Sequence, residues 1–301
     1  MEKTLIVPRE SCGERLDGFL SKNLSFVSRA KIYTLIKNGN ILINGSIKKP
    51  SFHLKGKEEV SIKAEEETSE LRPYEFPLKI TYEDNDIIVI DKPSGLITHP
   101  PTKDFCKTLV NALIYLKKEL STLSPQRPGV VHRLDKETSG VMILAKNNHS
   151  HVELTKQFKE RKIKKEYRAV VWGKLNKEHL RINLPLARDV KNRLRMKISF
   201  VKSKTALTEI MVLERFEDST YLSIGLHTGR THQIRVHLKF LGYPIIGDKK
   251  YGIKDIYPEL MLHAHKLGIY HPGKGNFMEF VSPLPLRFTE FVRNYPSRLN
   301  I

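Results

Sequence analysis

The densest run of reactive side chains in this 301-residue chain is His132-Arg133-Leu134-Asp135-Lys136-Glu137-Thr138-Ser139-Gly140, directly ahead of the apolar Val141-Met142-Ile143-Leu144. The polar run reads as a loop and the apolar run as a strand. A carboxylate between Arg133 and Lys136 sits in a positive local field, which suits a nucleophile or a base. By itself the pattern is equally that of a turn former or a surface ion-pair partner. Tyr167, in Lys165-Glu166-Tyr167, shares one side of an alternating stretch with Ala169 and Val171, so on spacing alone its ring fills a sheet face. Arg235 follows Ile234 in a helical pattern. When Ile234, Leu238 and Leu241 face the core, Arg235 points about 100° away, toward a cleft or toward solvent.

Other chemistries find less support. The chain has 12 histidines, and His263-Ala264-His265 would place two of them on one face of a strand. No glutamate adjoins them in a His-Glu-x-x-His arrangement, and the 2 cysteines, Cys12 and Cys106, are too few for a thiolate site or a disulfide framework. No P-loop and no glycine-rich dinucleotide fingerprint follows a strand. No metal and no cofactor are expected.

The elements that must position these residues fall into two groups. Residues 14–63 read as a compact module. Leu16, Phe19 and Leu20 mark one amphipathic helix. Ser28 as N-cap, Ile32, Leu35 and Ile36 as stripe, and Gly39 as terminator mark a second. Ile41 to Ile43 then lead into Asn44-Gly45, a type I′ hairpin signal, with Val60-Ser61-Ile62 as the closing strand. Residues 64–75 are acidic and end near Pro73, as linkers do. From residue 76 onward strand-like runs recur at Ile87 to Ile90, Val141 to Leu144, Ala169 to Trp172, Ile210 to Leu213 and Leu222 to Leu226. Helical patterns at Leu109, Ala112, Leu113 and Leu116, and at Ile234, Leu238 and Leu241, are interspersed without a regular βαβ alternation. The class is therefore α+β, with a first domain over 1–63, a linker over 64–75 and a main domain over 76–301.

Charge narrows the partner. With 52 Lys and Arg against 33 Asp and Glu the net charge is +19, a strong positive field that calls for a polyanion. Residues 1–63 carry 12 basic against 6 acidic side chains, or +6. An anionic membrane would need an amphipathic anchor or a lipidation site, and neither is evident. No apolar run of about 18 residues and no signal-peptide pattern occurs. The expectation is a cytoplasmic protein that binds nucleic acid.

Two families match these residues. Arg15-Leu16-Asp17, Ser28-Arg29, the stretch from Ile36 to Gly39 and Ile43-Asn44-Gly45 resemble the S4 domain, a small ααβ module that binds structured RNA. That resemblance implies RNA contacts from Arg29 and Lys31. The run His132 to Asp135 with Thr138-Ser139-Gly140 resembles the signature of the RluA-type RNA pseudouridine synthases. Three further motifs follow the same family's order: Asp91-Lys92-Pro93-Ser94-Gly95-Leu96, Lys165-Glu166-Tyr167, and Thr228-Gly229-Arg230-Thr231-His232-Gln233-Ile234-Arg235-Val236-His237 continuing to Gly247-Asp248. The resemblance implies a pseudouridine synthase fold, with a central mixed or antiparallel sheet flanked by helices. It implies Asp135 as nucleophile, Tyr167 packing on the target base, and Arg235 paired with the aspartate. It further implies Arg133 entering the RNA stack in place of the extruded uridine, with Arg230 and His232 shaping the loop or meeting phosphate. That the protein is a monomer is implied only by this resemblance.

The implied reaction is conversion of uridine to pseudouridine in structured RNA. An appended S4 module resembles the RluC- and RluD-like branch, which acts on 23S ribosomal RNA, more than the transfer-RNA branch. A non-catalytic RNA-binding or ribosome assembly factor would share the charge but has no use for Asp, Tyr and Arg together at these positions. A metal-dependent nuclease is the third class. The basic segment from Arg181 to Lys204 reads as a hairpin that contacts RNA.

Overall fold

The fold is seen in a computed structural model that describes residues 2–24, 27, 29–63, 71–102, 105–254 and 256–294, with backbone only at 2 and 29–31. Chain contacts divide it into two units, residues 1–70 and 71–301.

The first unit begins with β1 (Glu2–Ile6), a single 3-10 turn at Arg9–Ser11, α1 (Leu16–Asn23) and α2 (Arg29–Lys37), followed by β2 (Ile41–Ile43) and β3 (Glu59–Lys63). Leu16, Phe19 and Leu20 of α1 and Ile32 and Ile36 of α2 are buried against Ile41, Ile43, Val60 and Ile62. The apolar stripe read from spacing is therefore the core face. Gly39 ends α2 in the left-handed region, φ 75°. Asn44 and Gly45 take φ 47° and 70°. Two successive left-handed residues are what a type I′ turn demands. The three strands form an antiparallel sheet in the order β1-β3-β2. β1 was not foreseen: its Glu2-Lys3-Thr4 start is polar, and backbone pairing with β3 recruits it. Ser28, expected as the cap of α2, and residues 64–70 of the expected linker lie outside the described residues.

The second unit runs β4 (Lys79–Glu83), β5 (Ile87–Lys92), α3 (Leu109–Tyr115), β6 (Ser139–Ala145), α4 (Asn148–Glu160), β7 (Lys164–Trp172), β8 (His179–Asn183), β9 (Leu186–Arg188), β10 (Met196–Ile198), β11 (Leu207–Arg215), β12 (Ser219–Leu226), α5 (Gln233–Phe240), β13 (Leu262–Tyr270), β14 (Phe277–Val281) and α6 (Leu286–Asn294). One large sheet has the order β4-β5-β6-β13-β7-β12-β11-β8, with β14 also paired to β13. Every pairing in it is antiparallel except β6 with β13, where Ser139 and Gly140 face His263 and Ala264 in parallel register. The unit is a mixed-sheet α+β fold, as the sequence implies. At Gly140 the strands approach so closely that a β-carbon would lie 2.1 Å from the Ala264 carbonyl oxygen.

That parallel seam divides the core. On one side β5, β6, α3 and α4 bury Ile87 to Ile90, Leu109, Leu113, Leu154 and Val141 to Ala145. On the other β7, β11, β12, α5 and α6 bury Val170, Val171, Ile210, Leu222, Ile234, Leu238 and Phe288. Tyr167 packs against both. β9 and β10 form a separate two-stranded hairpin in the basic segment. No helix among the described residues is long and apolar enough to cross a membrane.

Candidate active site

The loop bearing Asp135 is held from three directions. Beneath it lies the turn after β5. Wholly buried Lys92 donates from Nζ to the carbonyls of Leu96 (2.8 Å), Pro93 (2.9 Å) and Lys136 (3.2 Å). The Gly95 amide donates to the Lys136 carbonyl at 2.9 Å, and the Ser94 hydroxyl to the Glu137 carbonyl at 2.9 Å. An ammonium has three N–H donors, so one buried side chain satisfies three backbone acceptors in the two loops. Burial pushes its pKa down to about 7, against the pull of Asp135 and Glu137.

From the side, His132 Nε2 accepts from the Ile143 amide at 3.0 Å, and its ring stacks on Phe158 at 4.7 Å between centroids. Burial drives this imidazole down to about 3, so it is a neutral structural group.

The third direction is α5. Gln233 is buried and pins the loop ahead of the helix. Its Oε1 accepts from the Thr228 hydroxyl (2.7 Å) and the Arg230 amide (3.1 Å), while Nε2 donates to the Thr208 hydroxyl and the Leu207 carbonyl. His232 then enters α5 with φ 56°. Arg235 is 2% exposed and points inward rather than out into solvent. Its main partner is one the sequence reading did not assign. Nε and Nη2 donate to the two carboxylate oxygens of Asp248 at 2.8 and 2.7 Å, a bidentate and wholly buried pair. The remaining Nη1 reaches Asp135 Oδ2 at 3.4 Å and Glu137 Oε2 at 3.3 Å. Asp248 is itself fixed by the backbone amides of Lys250 and Tyr251, both at 2.9 Å. Arg235 thus holds Asp135 through a longer contact from a rigid base, and the cation lies 5.4 Å from the centre of the Tyr251 ring.

These elements enclose a cavity of about 110 Å³ lined by Asp135, Arg133, Tyr167, Arg230, His232 and Arg235. Six residues singled out from three separate motifs therefore meet in one place. Larger cavities of about 560 and 570 Å³ lie elsewhere on the unit, the second sharing Arg235 with this wall. Asp135 is the acidic centre, with its side chain 16% exposed. His232 Nε2 is 3.9 Å from Asp135 Oδ2, and His232 Nδ1 lies 2.8 Å from the Tyr251 hydroxyl, which also accepts from the Met196 amide at 2.7 Å. Burial lowers the His232 pKa, which keeps the ring neutral.

Tyr167 is held as a phenol, because burial first and the charge of Asp135 second raise its pKa. Arg133 is exposed and pairs with no carboxylate among the described residues. Arg29 and Lys31 stand at the start of α2 in the other unit, with side chains outside the described residues.

The histidines considered for a metal have other partners. His263 Nδ1 meets the Ser139 hydroxyl at 2.9 Å, His265 Nδ1 the Ser282 carbonyl at 2.9 Å, and His237 bonds Thr208 and Leu184. Lys92, Asp248 and Tyr251 were missed as site residues. Lys92 and Asp248 stand within quoted motifs, but spacing alone does not tell a buried anchor from a turn residue.

Comparison with known proteins agrees with this constellation. Residues 86–240 match the sequence profile of the RNA pseudouridylate synthases, and residues 14–60 that of the S4 domain. An RNA pseudouridine synthase of Aquifex aeolicus is 44% identical over 91% of this chain and 92% of its own. The ribosomal large subunit pseudouridine synthase D of Borreliella burgdorferi is 39% identical over 93% and 89%. The solved structure of human RNA pseudouridylate synthase domain containing 1 superposes with a TM-score of 0.58 at 26% identity, covering 73% of this chain and 96% of that one. With profile, relatives and fold in agreement, the chain belongs to the RNA pseudouridine synthases, isomerases that convert uridine to pseudouridine within RNA, and carries an S4 domain ahead of the synthase fold.

Proposed function

We propose that this enzyme modifies uridines of 23S ribosomal RNA, with the Asp135 carboxylate as nucleophile. The observation that carries the chemistry is the asymmetry of that carboxylate. Oδ2 faces Arg235 Nη1 and His232 Nε2, whereas Oδ1 has no partner among the described residues, and the residue lines the cavity. Oδ1 is the attacking oxygen. Isomerisation breaks the N1–C1′ bond and forms C5–C1′, with a proton lost from C5 and one gained at N1, so the composition of the RNA is unchanged. A carboxylate serves this by attack at the sugar carbon, by attack at C6 of the ring, or by first removing a ribose proton.

The remaining side chains bind and orient. Tyr167 offers an aromatic face to a base taken out of the stack, and Arg133 at the mouth offers a planar cation to fill the gap it leaves. A cavity of about 110 Å³ favours one flat ring over a whole nucleotide. Arg29 and Lys31 of the S4 domain meet the RNA backbone, and Arg230 and His232 keep the motif loop in shape. Several relatives are named for the ribosomal large subunit, which supports that RNA as substrate. Such a substrate is met in the cytoplasm.

The test is carbodiimide primer-extension mapping of large-subunit ribosomal RNA from cells lacking the protein, complemented with wild type or Asp135→Asn. Sites that vanish and return only with wild type are the expected result. If no ribosomal site changes, the substrate is another RNA. If Asp135→Asn restores the sites, Asp135 is not the nucleophile.

A further inference from the structure

A groove of about 560 Å³ runs over the sheet, and its lining includes Lys165 and, by register on the face opposite Tyr167, Lys164, Arg181, Glu209, Lys266 and Glu279. Most of its cations are already matched. Lys266 pairs with Glu279 at 3.6 Å, Arg181 with Glu209 at 3.7 Å, and Lys164 lies over the Phe277 ring at 5.2 Å. Nearby, Arg168 pairs with Glu166.

Lys165 differs. It precedes Tyr167 by two residues on β7, so it shares the Tyr167 face of the sheet and lies about 6.6 Å along the strand. Its Nζ is 3.7 Å from the point a β-carbon on Gly229 would occupy, and Gly229 lines the Asp135 cavity. No carboxylate pairs with it among the described residues. The charges that reach it are those of Arg161, at the end of α4, and Arg230, and both repel it. Arg230 is steadied by its Nε bond to the Thr205 carbonyl at 3.1 Å. Across the strand Lys165 faces the apolar Leu267. A half-buried cation among like charges is held at a cost that an incoming anion would offset.

We propose that Lys165, with Arg161 and Arg230, grips one phosphate of the RNA strand at the mouth of the Asp135 cavity, beside the target uridine, and so fixes which nucleotide enters. This rests on the reading of the Asp135 cavity as the site of RNA modification. Three donors without an intervening acceptor suit a phosphodiester. A grip at a single point beside the target uridine sets register and not only affinity. Gly229 leaves the approach to Nζ open. Lys165 is a positioning residue, two places from the ring that meets the base.

The grip carries a pH signature. Burial and the two arginines bring the Lys165 ammonium down to about 8. A bound phosphate raises it again, so the contribution to binding is full below about pH 8 and fades as pH rises through that value. Arg161 and Arg230 stay charged there, and His132 behind them is neutral throughout.

The experiment uses the full chain and in vitro transcribed large-subunit ribosomal RNA, reading filter-retention binding against salt and pH and single-turnover pseudouridine formation. Lys165→Met keeps the volume and removes the charge. It is expected to raise the RNA concentration for half-maximal rate about tenfold with the saturating rate little changed, and to reduce the slope of log K against log salt by about one. Lys165→Arg is expected to restore affinity and abolish the loss above pH 8. An unchanged salt slope in Lys165→Met overturns the grip, as does a fall in saturating rate at unchanged affinity. Activity of wild type against Asp135→Asn checks the underlying reading separately. The binding slope is read even if that control fails, so the two failures are distinguishable.

Discussion

Arg235 lines the small Asp135 cavity, Lys165 lies next to Gly229 in its wall, and the two cations are treated in opposite ways. Arg235, on the inner wall, is 2% exposed and has both oxygens of Asp248 at 2.7 and 2.8 Å, with Asp135 and Glu137 in reach of its last nitrogen. Its pKa is raised above an already high value, because pairing outweighs burial. Lys165, at the rim, meets only like charges, and its pKa falls. The difference separates two jobs. Charges that fix the reactive carboxylate are satisfied within the protein and preorganised. Charges that fix the substrate are left for the substrate to satisfy. Arg133, exposed without a carboxylate partner, belongs with the rim.

Four outcomes would break or sharpen this contrast. Asp135→Asn keeps the shape of the floor and removes the carboxylate proposed as nucleophile; single-turnover pseudouridine formation should fall by at least about 10³-fold. Asp248→Asn strikes the preorganised wall by leaving Arg235 buried and half unpaired. It should cost about 3–5 kcal/mol in denaturant unfolding and lower activity with it; a variant as stable as wild type would mean the pair is not what holds the floor. Lys92→Met orphans the carbonyls of Pro93, Leu96 and Lys136, and should cost about 1–3 kcal/mol while loosening the Asp135 loop, seen as faster amide exchange over 134–138. Arg133→Ala, at the rim, should leave the melting temperature within a degree or so, since surface changes stay within about 0.5 kcal/mol, while the modification rate drops. A matching loss of stability would move Arg133 to the floor group.

Much of this was legible because it repeats short-range rules. The α1 and α2 stripes, the Asn44-Gly45 turn and the apolar runs of β5, β6 and β12 each carry their own periodicity. α4 was missed because its inward face includes Ser150 and Gln157 beside Leu154, so its apolar stripe is thin. β4 and β14 were missed because their half-buried alternation is weak, and β1 because a neighbour's backbone recruits it. At the site, the motifs named the residues that meet. They did not show that Arg235 is anchored first by Asp248, or that Lys92 ties two loops together, since both depend on contacts between segments far apart in sequence. The inward turn of Arg235 has the same cause. Helical spacing fixes its direction relative to Ile234 and Leu238, but not what the fold places there.

The parallel seam also sets a timetable. β6 and β7 carry the two sides of the reactive cavity, yet they do not touch; β13 lies between them, and its His263 bonds Ser139 across 124 residues of chain. A ribosome making this protein will have polymerised the aspartate loop, the tyrosine strand and the arginine helix before it adds the strand that joins them. Long-range pairings of this kind form late and slowly. Until residue 262 and beyond emerge, the nascent chain has the aspartate, the tyrosine and the arginine but no assembled centre, so the order of synthesis itself delays assembly of the cavity.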